Sequence, residues 1–368
     1  MKIIEKIPQL SSGGGERFVV DLCNEMVNTG HEVILVVLHK LEGHGFYTEE
    51  IDPRVRVMSM EKRMGVDWGL PFRIVRLIHH ERPDVVHTHL RAVVYCSLAI
   101  LPGVVHGVIF YHTVHSAARQ EAGGVVSAKI RRLIFKHKLC IPVTISEESL
   151  RSFEDFYGHS APMIPNGRNV PQNLQISLAV QEEFSQYRRT QHTLILLCLA
   201  RIDKVKRQTM LARVAKRLED EKKDFTLLLI GSTKYKELVD EILAYHCPCI
   251  HILGEKKNPL EYLKMSDAYC LPSSYEGLPI SLIEALGIGA VPICTPVGGI
   301  LDIINDGENG LLTKDLSEES LYETLRNFLE MSNSEIKKLK ANAHASYAQY
   351  SMTSCANKYI ELFNSSQS

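Results

Sequence analysis

The chain has almost no net charge. Its 368 residues carry 42 lysines and arginines against 43 aspartates and glutamates, a formal net charge of −1. Nucleic-acid binders usually carry a basic excess, so that class starts behind. Long hydrophobic runs are also missing. The opening MKIIEKIP sets charges inside its only apolar stretch, so no signal-peptide core is expected there. The apolar stretch from Ala92 to Val105 is broken by Pro102 and Gly103 and is too short to span a bilayer. The nine cysteines form no usual metal or redox motif; Cys247 and Cys249 are a close pair with the wrong spacing and no second pair. Cys198, Cys270 and Cys294 stand in apolar runs, where a thiol behaves as a small buried hydrophobe. A reducing, cytosolic setting is expected. No Asp-x-Asp occurs, and no short-period repeat.

What is present is alternation. At about 150 residues per domain the length predicts two domains. Continuous apolar runs such as Val33 to Leu38, as expected for strands covered on both faces, alternate with amphipathic stretches such as Glu16 to Asn28, which Gly30 closes. Further strands are predicted at Asp84 to His87, Val108 to Tyr111 and Pro142 to Ile145. A polar stretch pauses the pattern, which restarts at Leu194 to Leu199 and continues at Phe225 to Ile230, Cys249 to Leu253, Ala268 to Leu271 and Val291 to Cys294. Strand–helix–strand repetition predicts parallel sheets with helices on both faces. The fold class is α/β: two Rossmann-like, doubly wound domains facing across a cleft, with helices at the C-terminus. The expected boundaries are 1–170, a linker at 171–190, 191–350, and a final helix at 351–368 returning toward the first domain.

In doubly wound sheets ligands bind beyond the carboxyl ends of the strands, so the loops there should carry the chemistry. Gly13, Gly14 and Gly15 open the first helix, where free N–H groups could meet a phosphate; a plain tight turn is the alternative. The dinucleotide fingerprint fails there, because Phe18 occupies its third glycine position. Arg201 and Lys206 follow the strand at 194–199. Two fixed cations suit a diphosphate, but a solvated basic turn reads the same. Glu276 and Glu284 lie in the loop and helix after the strand at 268–271, where carboxylates could accept from paired hydroxyls. Ser281-x-x-Glu284 is also a capping-box pattern. His87, His89, His112 and His115 cluster after two strands; with no evident acidic or cysteine set beside them they make a poor zinc site.

These residues, in this order, resemble the retaining glycosyltransferases of family 4, with the architecture called GT-B. The match runs nearly end to end: Gly13 to Glu16, His31, Pro83 to His89, Ile164 to Gly167, Arg201, Lys206, the Glu276-x7-Glu284 pair, Gly298-Gly299 and Asn309 to Leu312. His112 matches the family's active-site histidine, with His115 three residues on as the alternative. Arg207 stands where many members carry glycine.

The resemblance implies transfer of a sugar from a nucleotide-sugar, with retention, no metal and no cofactor. Arg201 and Lys206 would stabilise the leaving diphosphate, Glu276 (with Gly277 and Leu278) the donor sugar, and Glu284 the ribose. Gly14 and Gly15 would touch phosphate and orient the acceptor, and His112 the donor sugar. His87, His89 and Asn166 are acceptor-side candidates. The acceptor is expected to be a lipid-linked or growing cell-surface glycan. An epimerase of the same fold and a non-catalytic binding protein are the rivals.

Residues 117–139 carry six cations against Glu121, a net plus five, with Val126, Ile130, Leu133, Ile134 and Phe135 at helical spacing. That is the profile of a helix lying on an anionic membrane, or of an ordinary surface helix with its apolar stripe packed inward.

Overall fold

The computed structural model describes residues 1–41, 46–65 and 67–366. It divides into two compact units: residues 1–169 with 350–368, and residues 170–349.

The first unit is built on β1 (Lys2–Ile7), β2 (Glu32–Val37), β3 (Arg56–Ser59), β4 (Val85–His89), β5 (Ile109–Val114) and β6 (Ile141–Thr144), in the order β3-β2-β1-β4-β5-β6, all parallel. Its helices are α1 (Gly14–Asn28), α2 (Leu70–Glu81), α3 (Ser97–Ile100), α4 (Ala118–Ala122), α5 (Val125–Lys136) and α6 (Glu147–Tyr157). The runs of Ile, Val and Leu become strands because both sheet faces are covered; β2 is buried from Val33 to Val37. Pro142 is tolerated because β6 lies at the sheet edge. β3 escaped the sequence reading: it is an edge strand only partly buried, without a continuous apolar run.

The second unit repeats the topology. β7 (Leu194–Leu199), β8 (Phe225–Ile230), β9 (Ile250–Gly254), β10 (Ala268–Leu271), β11 (Val291–Cys294) and β12 (Leu311–Leu312) are ordered β12-β11-β10-β7-β8-β9. With them pack α7 (Leu178–Ser185), α8 (Gln208–Asp220), α9 (Lys236–Leu243), α10 (Pro259–Met265), α11 (Ile280–Ile288), α12 (Glu318–Leu329) and α13 (Asn333–Ser346). The stretch 171–190, expected as a linker, carries α7. Val180 and Phe184 are buried, Phe184 beside Tyr262, and Ser177 is held by Glu261, so polar composition hid a packed helix.

The chain ends in α14 (Met352–Ser365), which packs on α1 and buries Tyr359 and Phe363 in the first unit. Arg168 N–H donates to the Tyr350 carbonyl, and Met352 N–H to that of Arg168. Gly167 is required at this contact, since a Cβ would lie 2.5 Å from Cys355 Cβ and 2.8 Å from the Ser351 carbonyl oxygen. Among the described residues no helix is long and apolar enough to cross a membrane.

In each sheet the strand order reverses at one place, between β1 and β4 in one unit and between β7 and β10 in the other, while all strands stay parallel. The loops leaving the carboxyl ends of these four strands are where ligands are bound in such sheets.

Candidate active site

In the second unit the two switch-point loops carry Arg201, Lys206 and Glu276. Lys206 Nζ lies 2.6 and 2.8 Å from the two Glu276 carboxylate oxygens. Ser273 Oγ donates to Glu276 Oε1 at 2.5 Å, and the Thr295 hydroxyl fixes the Ser273 carbonyl. Residues given separate roles by their positions, cation and carboxylate, thus form one part-buried pair.

Asp203, missed in the sequence, organises the first loop. Its Oδ2 accepts from Arg201 Nε at 2.6 Å and its Oδ1 from Lys206 N–H at 2.9 Å. Buried Gln208 donates to the Arg201 carbonyl at 2.8 Å. The Arg201 side chain remains two-thirds exposed, at 66%. Arg207 takes a left-handed conformation (φ 56°, ψ 36°), which explains why glycine suits that position.

Glu284 is buried on α11. The capping-box reading is excluded. The N-cap is Pro279, Ser281 lies inside the helix, and its hydroxyl pairs with Tyr269 OH at 2.6 Å. Gly277 and buried Leu278 shape the turn, and Gly299 N–H donates to the Gly277 carbonyl at 2.7 Å. Gly298 supports that turn directly: at φ +55°, a Cβ there would lie 1.8 Å from the Glu276 carbonyl oxygen. Gly231, also missed, lets β8 approach the Arg201 loop; its Cβ would meet the Ala200 oxygen at 2.2 Å.

In the first unit Gly13 caps α1, and Gly14 and Gly15 begin it. Glu16 turns back over the loop, accepting from Ser11 Oγ at 2.6 Å. A Cβ at Gly13 would lie 2.2 Å from Glu16 Oε2, so a side chain there would require the Glu16 carboxylate to move off the loop.

The histidines separate by strand alternation. His112 is fully buried on one face of β5, its Nδ1 beside Thr88 and its Nε2 2.8 Å from Glu121 Oε1. Burial lowers its pKa, with Glu121 opposing. A fully enclosed ring cannot touch a substrate, so the expected role of His112 is corrected. His115, one residue past the end of β5 and half-buried, is the histidine at the ligand edge. The opposite facing of residues 112 and 115 was readable from the two-residue period.

His87 and His89 are likewise fully buried, which removes them as acceptor contacts. The expectation that no acid stands near them is also corrected. Glu5, 82 residues from His87 in sequence, lies 3.1 Å from His87 Nδ1 and 2.7 Å from His89 Nε2. The three bring possible metal-ligand atoms within 4.8 Å of one another, but each contact is already a hydrogen bond. Asn166 is buried, only 3% exposed, beside the Gly167 contact with α14.

Helix α5 also departs from expectation. Arg131 points inward, 1% exposed, donating to Glu121 and to the Leu90 carbonyl. Ile134 and Phe135 are buried, while Val125, Val126 and Leu133 stand 72%, 72% and 59% exposed. Lys129, Arg132 and Lys136 share that exposed side.

Residues 12–171 match the family described as Glycosyltransferase Family 4, and residues 180–346 that described as Glycosyl transferases group 1. An uncharacterized glycosyltransferase of Methanocaldococcus jannaschii is 24% identical over 287 residues, 69% of each chain. The GalNAc-alpha-(1->4)-GalNAc-alpha-(1->3)-diNAcBac-PP-undecaprenol alpha-1,4-N-acetyl-D-galactosaminyltransferase of Campylobacter jejuni is 21% identical over 374 residues, 98% of each chain. For three other relatives the chain spans only 20%, 41% and 30% of their length. Among solved structures, Anabaena HepE in complex with UDP and glucose superposes with a TM-score of 0.83 at 16% identity, covering 99% of this chain and 100% of that one. With both units matched in chain order and the same fold throughout, the protein belongs to the family 4, group 1 glycosyltransferases.

Proposed function

We propose that this glycosyltransferase moves a sugar from a nucleoside diphosphate sugar to a lipid-linked or growing glycan, with retention and without a metal. The observation that carries this is the cation pair after β7, Arg201 and Lys206, aligned by Asp203 and by Glu276. In the reaction the anomeric carbon–phosphate oxygen bond breaks and a bond to the acceptor oxygen forms. The acceptor's proton passes to the leaving phosphate. Negative charge grows on the diphosphate, and preorganised cations there lower the barrier. Arg201 can fork onto two oxygens, and Lys206 acts as a point charge. With that charge supplied and no Asp-x-Asp in the chain, a metal has no required role. Glu276 would accept from donor-sugar hydroxyls, Glu284 from the ribose, and the α1 N-terminus at Gly14 and Gly15 would face phosphate. His115 takes the sugar-side role first expected of His112.

A lipid-linked acceptor is supported by the C. jejuni relative, whose printed name includes PP-undecaprenol, and by the exposed valines and cations of α5. That surface would lie on anionic lipid, its apolar residues entering and its cations meeting headgroups. UDP in the HepE complex supports a nucleoside diphosphate sugar as donor.

The test is release of nucleoside diphosphate from a panel of nucleotide-sugars, with and without acceptor, and with and without EDTA. Acceptor-dependent release that survives EDTA is expected. Loss in EDTA restored by magnesium or manganese would refute metal independence; product of inverted configuration would refute retention. Glu276→Ala and Glu284→Ala should each cut turnover about 10²- to 10³-fold.

A further inference from the structure

We propose that Glu5 and Glu121 are positioning residues for His115: Glu5, acting through His89, fixes its ring tautomer, and Glu121 holds its backbone in place. The inference rests on His115 being the ligand-facing histidine.

The argument starts at Glu5, fully buried in β1. Burial alone would push its pKa up, but His87 and His89 hold it down to about 2, so it is a carboxylate that only accepts hydrogen bonds. His89 Nε2 at 2.7 Å and His87 Nδ1 at 3.1 Å must therefore donate. Burial, with His87 nearby, lowers the His89 pKa to about 4, so the ring is neutral and its Nδ1 carries a lone pair. The partner of that nitrogen is His115 Nε2, 3.0 Å away, which must carry a proton. His115 is also neutral, its pKa lowered to about 3 by burial and by His89, so its own lone pair is on Nδ1.

On the other side of Glu5, His87 Nε2 lies 2.7 Å from the Thr113 hydroxyl, which is 2.8 Å from Tyr359 OH of α14, so the His87 ring is tied to the C-terminal helix. Phe18 packs edge-on against the His115 and His89 rings, with centroids 5.4 and 6.0 Å apart. Glu121 fixes the backbone: its Oε2 accepts from His115 N–H at 2.6 Å. The same carboxylate is anchored by Arg131 at 3.1 Å and lies against His112. The buried histidines and the inward arginine of α5 thus find a use as supports for one half-exposed ring.

A ring oriented this way presents the same acceptor nitrogen at each turnover. Misplacing such a group typically costs about 10²-fold in rate. The test uses the full chain with ¹⁵N-labelled histidine, whose long-range ¹⁵N–¹H spectra report which ring nitrogen is protonated. His115 is expected as the Nε2–H tautomer. His89→Leu should lose that preference and lower turnover about 100-fold. His89→Gln can still donate to Glu5 and accept from His115, and should restore turnover to within about 10-fold. Glu121→Gln should lower turnover with the tautomer kept. Wild-type His115 protonated on Nδ1, or full turnover in His89→Leu, would overturn the Glu5 arm. Full turnover in Glu121→Gln would overturn the other. Should a variant fail to fold, the wild-type spectrum still decides the tautomer. Full turnover in His115→Ala would instead refute the ligand-facing role, leaving the tautomer assignment standing.

Discussion

Replacing Lys206 by alanine tests whether the Lys206–Glu276 pair is one unit or two neighbours. The Lys206 side chain is 20% exposed and the Glu276 side chain 7%. Removing the lysine leaves the carboxylate with the Ser273 hydroxyl as the other partner seen at its Oε1. Breaking a fully buried pair costs about 3–5 kcal/mol. Partial exposure of Lys206 discounts this to roughly 2–3 kcal/mol, or a Tm loss of about 4–12 °C at about 2–4 °C per kcal/mol. Glu276→Gln alone removes the charge but keeps a hydrogen-bonding head, and should cost less. The double variant should then recover part of the loss, giving a coupling of about 1–3 kcal/mol in denaturant unfolding. Rates should follow the same pattern. If the pair positions both groups, the two substitutions together should slow turnover by less than the product of the single effects. Additivity within about 0.5 kcal/mol in stability, together with multiplicative rate effects, would refute the idea that each residue places the other.

Gly298→Ala should cost about 2–5 kcal/mol, summing left-handed backbone strain and overpacking, and should slow turnover by displacing the Glu276 carbonyl; unchanged melting and turnover would contradict this. Acid should destabilise the first unit in two stages. Between about pH 6.5 and about 4 the unfolded chain takes up protons that folded His89 and His115 refuse, losing about 1.4 kcal/mol per pH unit for each; below about 4.5 the Glu5 contribution is lost toward about 2. Denaturant titrations that give one stability across the upper window would refute neutral buried histidines. Lys129, Arg132 and Lys136 changed to Gln should weaken sedimentation with anionic vesicles, as should added salt. Arg131 is excluded from that set because its charge is spent inside the fold. Equal binding to neutral vesicles, or none to either, would leave α5 an ordinary surface helix.

Much of this molecule was legible in one dimension. β7, β8, β10 and β11 coincide with the apolar runs that predicted them, because a strand covered on both faces must be apolar throughout. The loops carrying Arg201, Lys206 and Glu276 followed as the segments leaving those strands. Tertiary structure decided what periodicity cannot carry, which is what lies across from what. In sequence Glu5 and Lys6 are only charges that interrupt an apolar stretch, yet they are buried on opposite faces of a central strand, Glu5 against histidines more than 80 residues away and Lys6 against Cys96. A buried charge is stable only beside partners; those of Glu5 come from β4 through parallel pairing and that of Lys6 from the segment just after β4, which the local sequence of β1 does not encode. The same holds for Lys206 and Glu276, which sit 70 residues apart and meet only because β7 and β10 are neighbours at the point where the strand order reverses. Residue types and their spacing determined which loops could hold the chemistry. The order of strands in each sheet determined which side chains in those loops touch.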